Sequence, residues 1–184
     1  MTDFRSTRPG PDEYPDSTAG YVGRVPDGDV LETLSRQIDE TTALLRVLPE
    51  SMGDHRYAPG KWTIRQVVGH LTDAERVFSY RAFRFSRGDA TPLAAFDENT
   101  YVNAAPFTRV SLRDLIDELE HARRATLHLF RNLDEAAFAR RGIANNAEVS
   151  VRALAFIIAG HENHHLNTMR TRYLAAPAAA SGTG

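Results

Sequence analysis

Four segments of this chain repeat apolar residues at helical spacing, and each follows a residue that favours a helix start. The predicted helices begin at Asp29, Thr63, Ser111 and Ser150 and end near residues 48, 86, 132 and 174. No stretch between residues 29 and 174 alternates apolar and polar residues as a good strand does. The pattern therefore predicts an all-α fold, an antiparallel four-helix bundle, over residues 29–174.

The segments outside these helices are rich in residues that interrupt regular structure. Residues 1–28 contain four prolines and predict an extended N-terminal arm, partly disordered at its start. Residues 175–184 are small side chains and glycine, and predict a disordered tail. Between the second and third helices, residues 88–109 form a long loop, which in a compact domain is typically functional or wraps a surface.

Charge and cysteine content exclude several kinds of site. The chain has 22 Lys and Arg against 24 Asp and Glu, a balance with no electrostatic footprint for nucleic acid or for a membrane surface. The sequence has no apolar run long enough to span a bilayer and no signal peptide pattern, so we expect a cytoplasmic protein. Cysteine is absent, so a metal site here must use histidine and carboxylates.

Histidines fall on the otherwise apolar stripes of the second and fourth predicted helices. His70 lies on the first of these stripes, and His161 and His165 lie one turn apart on the other. Two imidazoles at this spacing can bind one ion, and three neutral histidines form an open, catalytic type of site. The pattern predicts a metal site made of these three histidines. The alternative is that they are core residues held by hydrogen bonds. His164, which lies slightly off the stripe, is the other possible ligand.

Residues 161–165 also match the H-E-x-x-H motif of zinc metalloproteases, in which the glutamate is the general base. No His, Asp or Glu follows His165, so the downstream third ligand of such proteases is missing. Glu162 stays a candidate base, with a solvated or interhelical charge as the alternative. Asp97 in the long loop is a second candidate base, and a helix cap or a partner of a ligand histidine is its alternative.

Three separated blocks of the chain resemble the DinB superfamily. Residues 57–71 (YAPGKWTIRQVVGHL) resemble its second-helix signature, and residues 160–166 (GHENHHL) resemble its fourth-helix signature. Residues 87–93 (RGDATPL) and 96–98 (FDE) resemble the connecting loop of its YfiT-like branch. The order and spacing of the blocks fit across about residues 29–174. The resemblance implies a four-helix bundle with a divalent metal, zinc or nickel, held by His70, His161 and His165.

The same resemblance implies a homodimer that acts on a small molecule. Better characterised members resemble transferases of low-molecular-weight thiols such as bacillithiol, mycothiol or glutathione. We therefore expect a thiol S-transferase in which the metal stabilises the thiolate that attacks an electrophile. Two alternatives stay open: a metal-dependent hydrolase that uses water activated by the metal, and a non-catalytic metal-binding dimer. Arg81 and Arg172 are candidates for binding an anionic group of the cofactor, and solvated helix ends are their alternative.

Overall fold

The computed structural model describes residues 3–175 of the chain, so the predicted tail lies outside the described residues from residue 176 onward. Its helices and strands alternate with short 3-10 turns along the chain. They are α1 (Ala19–Val22), α2 (Val30–Arg46), α3 (Ile64–Ser86), α4 (Glu98–Ala104), α5 (Leu112–Arg131), α6 (Glu135–Ala139), β1 (Arg141–Ala144), β2 (Ala147–Ser150) and α7 (Val151–Thr168).

The four long helices, α2, α3, α5 and α7, begin where their capping residues predict. The side chain of Asp29 accepts a hydrogen bond from the N–H of Leu31, and Thr63 exchanges hydrogen bonds with Gln66 in a complete capping box. Ser111 and Ser150 cap α5 and α7 in the same way. The end of α7 differs from the expectation, because a π-helical turn (Met169–Tyr173) follows it.

The long helices pack as a bundle, which confirms the predicted fold class. Both α2 and α3 pack against α5 and α7, so α2 and α3 face one another across the bundle diagonal. Such an arrangement needs long connections between successive helices, and the chain supplies them. The residues from Ala153 to Ala159 of α7 are all buried, so this part of the helix is apolar on every side. None of the described helices is long and apolar enough to cross a membrane.

A small β-hairpin precedes α7, in a region where the sequence predicts no strand. β1 and β2 are antiparallel, and Asn145 and Asn146 join them with φ angles of 52° and 59°. Asparagine tolerates positive φ better than most residues, so this pair suits a two-residue hairpin turn. The strands are too short to show alternation in the sequence. Leu93 of the long loop hydrogen-bonds to Ile143 and Asn145, which attaches that loop to the hairpin.

Residues 3–28 fold onto the bundle in short helical turns, where we expected an extended arm. Glu13 accepts hydrogen bonds from Ser150 and Arg152 at the start of α7. The α1 helix packs directly on α7, and a Cβ added at Gly160 would overlap the carbonyl of Tyr21. The absence of a side chain at Gly160 therefore lets the two backbones approach one residue before His161.

Candidate metal centre

His70 of α3 meets His161 and His165 of α7 in the interior of the bundle. One ring nitrogen from each residue lies within 4.8 Å of the other two, and the Nε2 atoms of His70 and His161 are 3.0 Å apart. The ring centroids are separated by 4.6 to 5.0 Å. The two helices thus bring together the three histidines that the stripes predict.

The three rings are neutral at physiological pH. Burial lowers the pKa of His70 to about 4 and that of His165 to about 3. Burial also lowers the pKa of His161 well below its usual range, and the neighbouring histidines lower it further. A neutral imidazole keeps a lone pair on one ring nitrogen, which is the form that binds metals.

The donor set fits a divalent transition metal. A tetrahedral ion with metal–nitrogen bonds of about 2.1 Å holds pairs of ligand nitrogens about 3.4 Å apart, within the range of separations in this cluster. Among residues 3–175, the three rings make a single hydrogen bond, between His70 and His161, and Nδ1 of His70 is buried without a partner. Burying polar rings with so few partners is costly without an ion.

Aromatic side chains surround the three histidines. Trp62 lies 4.8 Å from the ring of His70, Phe78 lies 5.9 Å from that of His161, and Tyr21 lies 5.4 Å from that of His161. Tyr173 in the π-helical turn donates a hydrogen bond to the carbonyl of Trp62 at 2.7 Å. The immediate surroundings of the cluster are therefore largely aromatic.

Two cavities reach the histidines. The larger, of about 380 Å³, is open to all three and is bounded by the arm, α3, the α4 region, the hairpin and α7. The second, of about 240 Å³, also borders Trp62 and includes Lys61, Thr168 and Tyr173. His165 and Trp62 line both cavities. The larger cavity therefore reaches the whole cluster, and the smaller one reaches it through His165 alone.

The sequence matches the model of the DinB superfamily over residues 33–169. This chain belongs to the DinB superfamily. A protein of Oceanobacillus iheyensis that is named as a candidate metal-dependent hydrolase is 29% identical over 144 residues, which cover 75% of this chain and 82% of that protein.

Two solved structures share the DinB fold of this chain. YfiT from Bacillus subtilis, described as a candidate metal-dependent hydrolase with an unusual four-helix bundle topology, matches with a TM-score of 0.69 at 19% identity. The match covers 90% of this chain and 93% of that one. A mycothiol-dependent maleylpyruvate isomerase matches with a TM-score of 0.63 at 14% identity, over 74% of this chain and 58% of that one. At these identities the likeness concerns the fold.

Glu162 binds residues of two other helices in this DinB chain, in place of the predicted role as a general base. Its side chain is buried, with one carboxylate oxygen 2.6 Å from Thr41 Oγ1 and the other 2.6 Å from Arg123 Nη1. It does not line either cavity at the histidines. Because both oxygens are engaged, Glu162 is an interhelical charge.

Asp97 is also used structurally, and its neighbour is the carboxylate that reaches the cavity. Asp97 caps α4 by accepting a hydrogen bond from the N–H of Thr100 at 2.6 Å. Glu98, the first residue of that helix, is exposed and lines the larger cavity. The sequence analysis named Asp97 and not Glu98, since the cap pattern alone does not say which carboxylate faces the cavity.

The two candidate arginines lie in different surroundings. Arg81 is buried on α3, lines the larger cavity and donates a hydrogen bond to the carbonyl of Ala94 at 2.9 Å. Arg172 is exposed in the π-helical turn and lines neither cavity. The turn changes the direction of side chains after Thr168, so the helical stripe does not continue to Arg172.

The other histidines of the DinB chain do not join the cluster. His164 is half-buried and lines both cavities, but its ring packs edge-on against His165 and is outside the group of converging nitrogens. The three remaining histidines are equally absent from that group; they are His55, His121 and His128. Sequence reasoning missed Tyr21 and Phe78 as cavity residues, because their apolar character gives the same pattern as ordinary core packing.

Proposed function

We propose that this chain is a metal-dependent thiol S-transferase whose three histidines hold zinc or nickel. The observation that carries the proposal is the cluster of three neutral imidazoles on the larger cavity, with a second cavity that also borders His165. Imidazole ligands suit both metals. A reaction between a thiol and an electrophile needs room for two molecules at one ion, and the two cavities provide it.

A divalent metal held by these residues lowers the pKa of a coordinated thiol or water and so supplies a nucleophile at neutral pH. The chain contributes the rest. His70, His161 and His165 fix the position of the ion, and Trp62 and Phe78 cover the rings and exclude bulk water. The absence of cysteine is compatible with this chemistry, because the reacting sulfur belongs to the cosubstrate.

A metal-dependent hydrolase is the second candidate, favoured by the names of two relatives. Hydrolysis benefits from a carboxylate base close to the attacking water. Glu162 and Asp97 are both engaged in hydrogen bonds elsewhere, which leaves Glu98 as the carboxylate on the larger cavity. Glu98 lies on an exposed helix end. The transferase needs no protein base to form the thiolate, so it is the better supported function.

We propose further that the protein is a homodimer of two copies of this chain. A groove of about 750 Å³ between α3 and α5 lies away from the three clustered histidines, and the aromatic side chains of Tyr80 and Phe83 are exposed on it. Exposed aromatic residues of this kind are enriched at protein interfaces. Sedimentation equilibrium of the wild type and Phe83→Glu tests this, with a dimer expected for the first and a monomer for the second.

The function is tested in two steps. The chain is purified without added metal, and bound transition metals are counted per chain for the wild type, His161→Ala and the exposed-histidine control His128→Ala. Metal near one ion per chain is expected in the wild type and the control and not in His161→Ala. Absence of metal, with no uptake of added zinc or nickel, contradicts both enzymatic candidates.

The second step separates the two reactions. Loss of 1-chloro-2,4-dinitrobenzene is measured with glutathione, mycothiol or bacillithiol, and hydrolysis of p-nitrophenyl acetate is measured without thiol. Thiol-dependent loss that disappears in His161→Ala supports the transferase. Thiol-independent hydrolysis with the same dependence supports the hydrolase. A metal-loaded protein inactive in both assays is the result expected of a non-catalytic metal-binding dimer.

A further inference from the structure

Three arginines are buried among residues 3–175, and two of them are each paired with two carboxylates. These two are Arg65 and Arg123, and their partners are Glu50, Asp54, Glu75 and Glu162. The third, Arg81, is only 8% exposed but forms no ion pair within the described part of the chain. A buried guanidinium without an anion is energetically unfavourable, so Arg81 needs a separate explanation.

The unused donors of Arg81 belong to the larger cavity. The guanidinium carries five N–H groups, and its hydrogen bond within residues 3–175 runs from Nη2 to the carbonyl of Ala94. Burial lowers the pKa of Arg81, but an arginine remains charged at physiological pH. The cavity therefore presents a positive charge and free hydrogen-bond donors to whatever enters it.

The walls near Arg81 are apolar and aromatic. The guanidinium carbon lies 5.9 Å from the ring centroids of both Phe78 and Phe96. Leu154 and Ile157 of α7 line the same cavity. A planar carboxylate matches the fork of a guanidinium, and apolar walls favour an organic body next to it. A phosphate dianion carries more charge than one guanidinium offsets, so the surroundings favour a carboxylate.

The same aromatic ring connects Arg81 with the histidines. Phe78 lies 5.9 Å from the ring of His161 as well as from the guanidinium of Arg81. A ligand that follows the face of this one side chain extends from the positive charge to the metal cluster. Glu98, on the same cavity, interacts electrostatically with Tyr21 and His70 and forms no ion pair with Arg81. It therefore does not neutralise the guanidinium.

We propose that Arg81 binds the carboxylate of an organic monoanion whose apolar body lies along Phe78 and whose other end reaches the three histidines. This makes one substrate of the enzyme a carboxylic acid with an aromatic or similarly apolar body. The inference rests on the proposed function only for the identity of the ligand as a substrate. Binding of the carboxylate end is measured without turnover.

Benzoate and its neutral analogue benzamide are the probes. Trp62 is the only tryptophan of the chain and lines the cavity, so its fluorescence reports on binding. Each probe is titrated into the wild type, into Arg81→Met and into Arg76→Met, which removes an exposed arginine of the same helix. Metal content and circular dichroism are recorded for each protein, and the titrations are repeated after treatment with a chelator.

Saturable binding of benzoate by the wild type and Arg76→Met is expected, weakened at least about tenfold in Arg81→Met and for benzamide, since a hydrogen-bonded ion pair is lost in both cases. Equal binding of the two probes, unchanged benzoate binding by Arg81→Met, or no saturable benzoate binding overturns the proposal. Benzoate binding that depends on the metal and not on Arg81 also overturns it. If Arg81→Met does not fold, the comparison of the two probes on the wild type decides.

The outcome is distinguishable from failure of the proposed function. A wild type that binds no metal and is inactive with every thiol contradicts the proposed function. Arg81-dependent binding of benzoate by that same protein still supports the carboxylate site.

Discussion

Arg123 Nη1 lies 2.6 Å from Glu162 Oε2, and Glu162 is the residue directly after the metal-ligand candidate His161. The same guanidinium holds both carboxylate oxygens of Glu75 at 2.9 Å and donates to the carbonyl of Leu34 at 3.2 Å. One side chain of α5 thus joins α2, α3 and α7 beneath the histidines. Because Glu162 is fixed in this way, the network also fixes the rotation of α7 that directs His161 into the cluster.

Replacing Arg123 by Met leaves the carboxylates of Glu75 and Glu162 buried without their cation. We expect the free energy of unfolding to fall by about 3–5 kcal/mol, as for other broken buried ion pairs. Urea denaturation measures this change. Arg124→Met, which removes an exposed ion pair with Asp39 on the neighbouring position, is the matched control and costs no more than about 1 kcal/mol. Equal effects of the two substitutions contradict the role given to Arg123.

Removal of the metal destabilises the folded chain, because an ion bound only by the native state adds to its stability. A chelator is expected to lower the melting temperature of the wild type, with about 2.7 kcal/mol lost if free metal stood at 100 times its dissociation constant. His165→Ala melts at one temperature with or without chelator. His128→Ala, which changes an exposed histidine, responds as the wild type does. Calorimetry with and without chelator distinguishes these cases, and a wild type that ignores the chelator counts against the metal centre.

Glu13 holds the arm against the start of α7, so Glu13→Gln destabilises the protein by about 1–3 kcal/mol at pH 7. Burial alone would raise the pKa of Glu13, but hydrogen bonds from Arg152, the Gly10 N–H and Ser150 outweigh it and lower the pKa below its reference value of 4.5. A carboxyl group whose pKa is lower in the folded than in the unfolded state stabilises the folded protein at pH values above its unfolded-state pKa. This stabilisation is lost as the pH falls through the folded-state pKa.

The difference between the wild type and Glu13→Gln is therefore constant at neutral pH and shrinks below about pH 4.5. Denaturation curves from pH 7 down to pH 3 measure it. A difference that grows in acid has the wrong sign for this carboxylate.

Gly160→Ala places a methyl group against the carbonyl of Tyr21, which must move away from α7. We expect a loss of stability of about 1–3 kcal/mol from overpacking and a change in the fluorescence of Trp62, because Tyr21 and Trp62 line one cavity. Gly20→Ala is the matched control, since a Cβ there meets no atom within 4 Å. A shared response of the two variants in stability and fluorescence argues against close packing of α1 on α7.

Local patterns predicted the helices and singled out three histidines that the structure brings together. The capping residues Asp29, Thr63, Ser111 and Ser150 act on the backbone next to them, so their effect is readable without the fold. The histidine stripes belong to single helices, and two helices that both bury their stripes bring them together. For these reasons the fold class agrees with the sequence, and the three predicted histidines come together.

The roles of single charged residues depended on contacts between helices that no local pattern contains. Glu162 has its partners Thr41 and Arg123 on α2 and α5, and the pattern within α7 alone does not reveal partners on other helices. Arg172 lies within a π-helical turn that shifts the helical register. Arg81 differs from both, because it lies on the same regular helix as His70. The helical spacing that directs His70 into the larger cavity therefore also directs Arg81 there.

The match to the DinB superfamily begins at residue 33, yet Pro15, Thr18 and Tyr21 contribute to the wall of the larger cavity. The histidines and the residues that shape one side of their cavity therefore lie in separate stretches of the chain. A substitution at one of these three arm residues reshapes the cavity wall without replacing any of the three histidines. The arm is therefore a part of this chain in which the shape of the cavity can change separately from the ion-binding side chains.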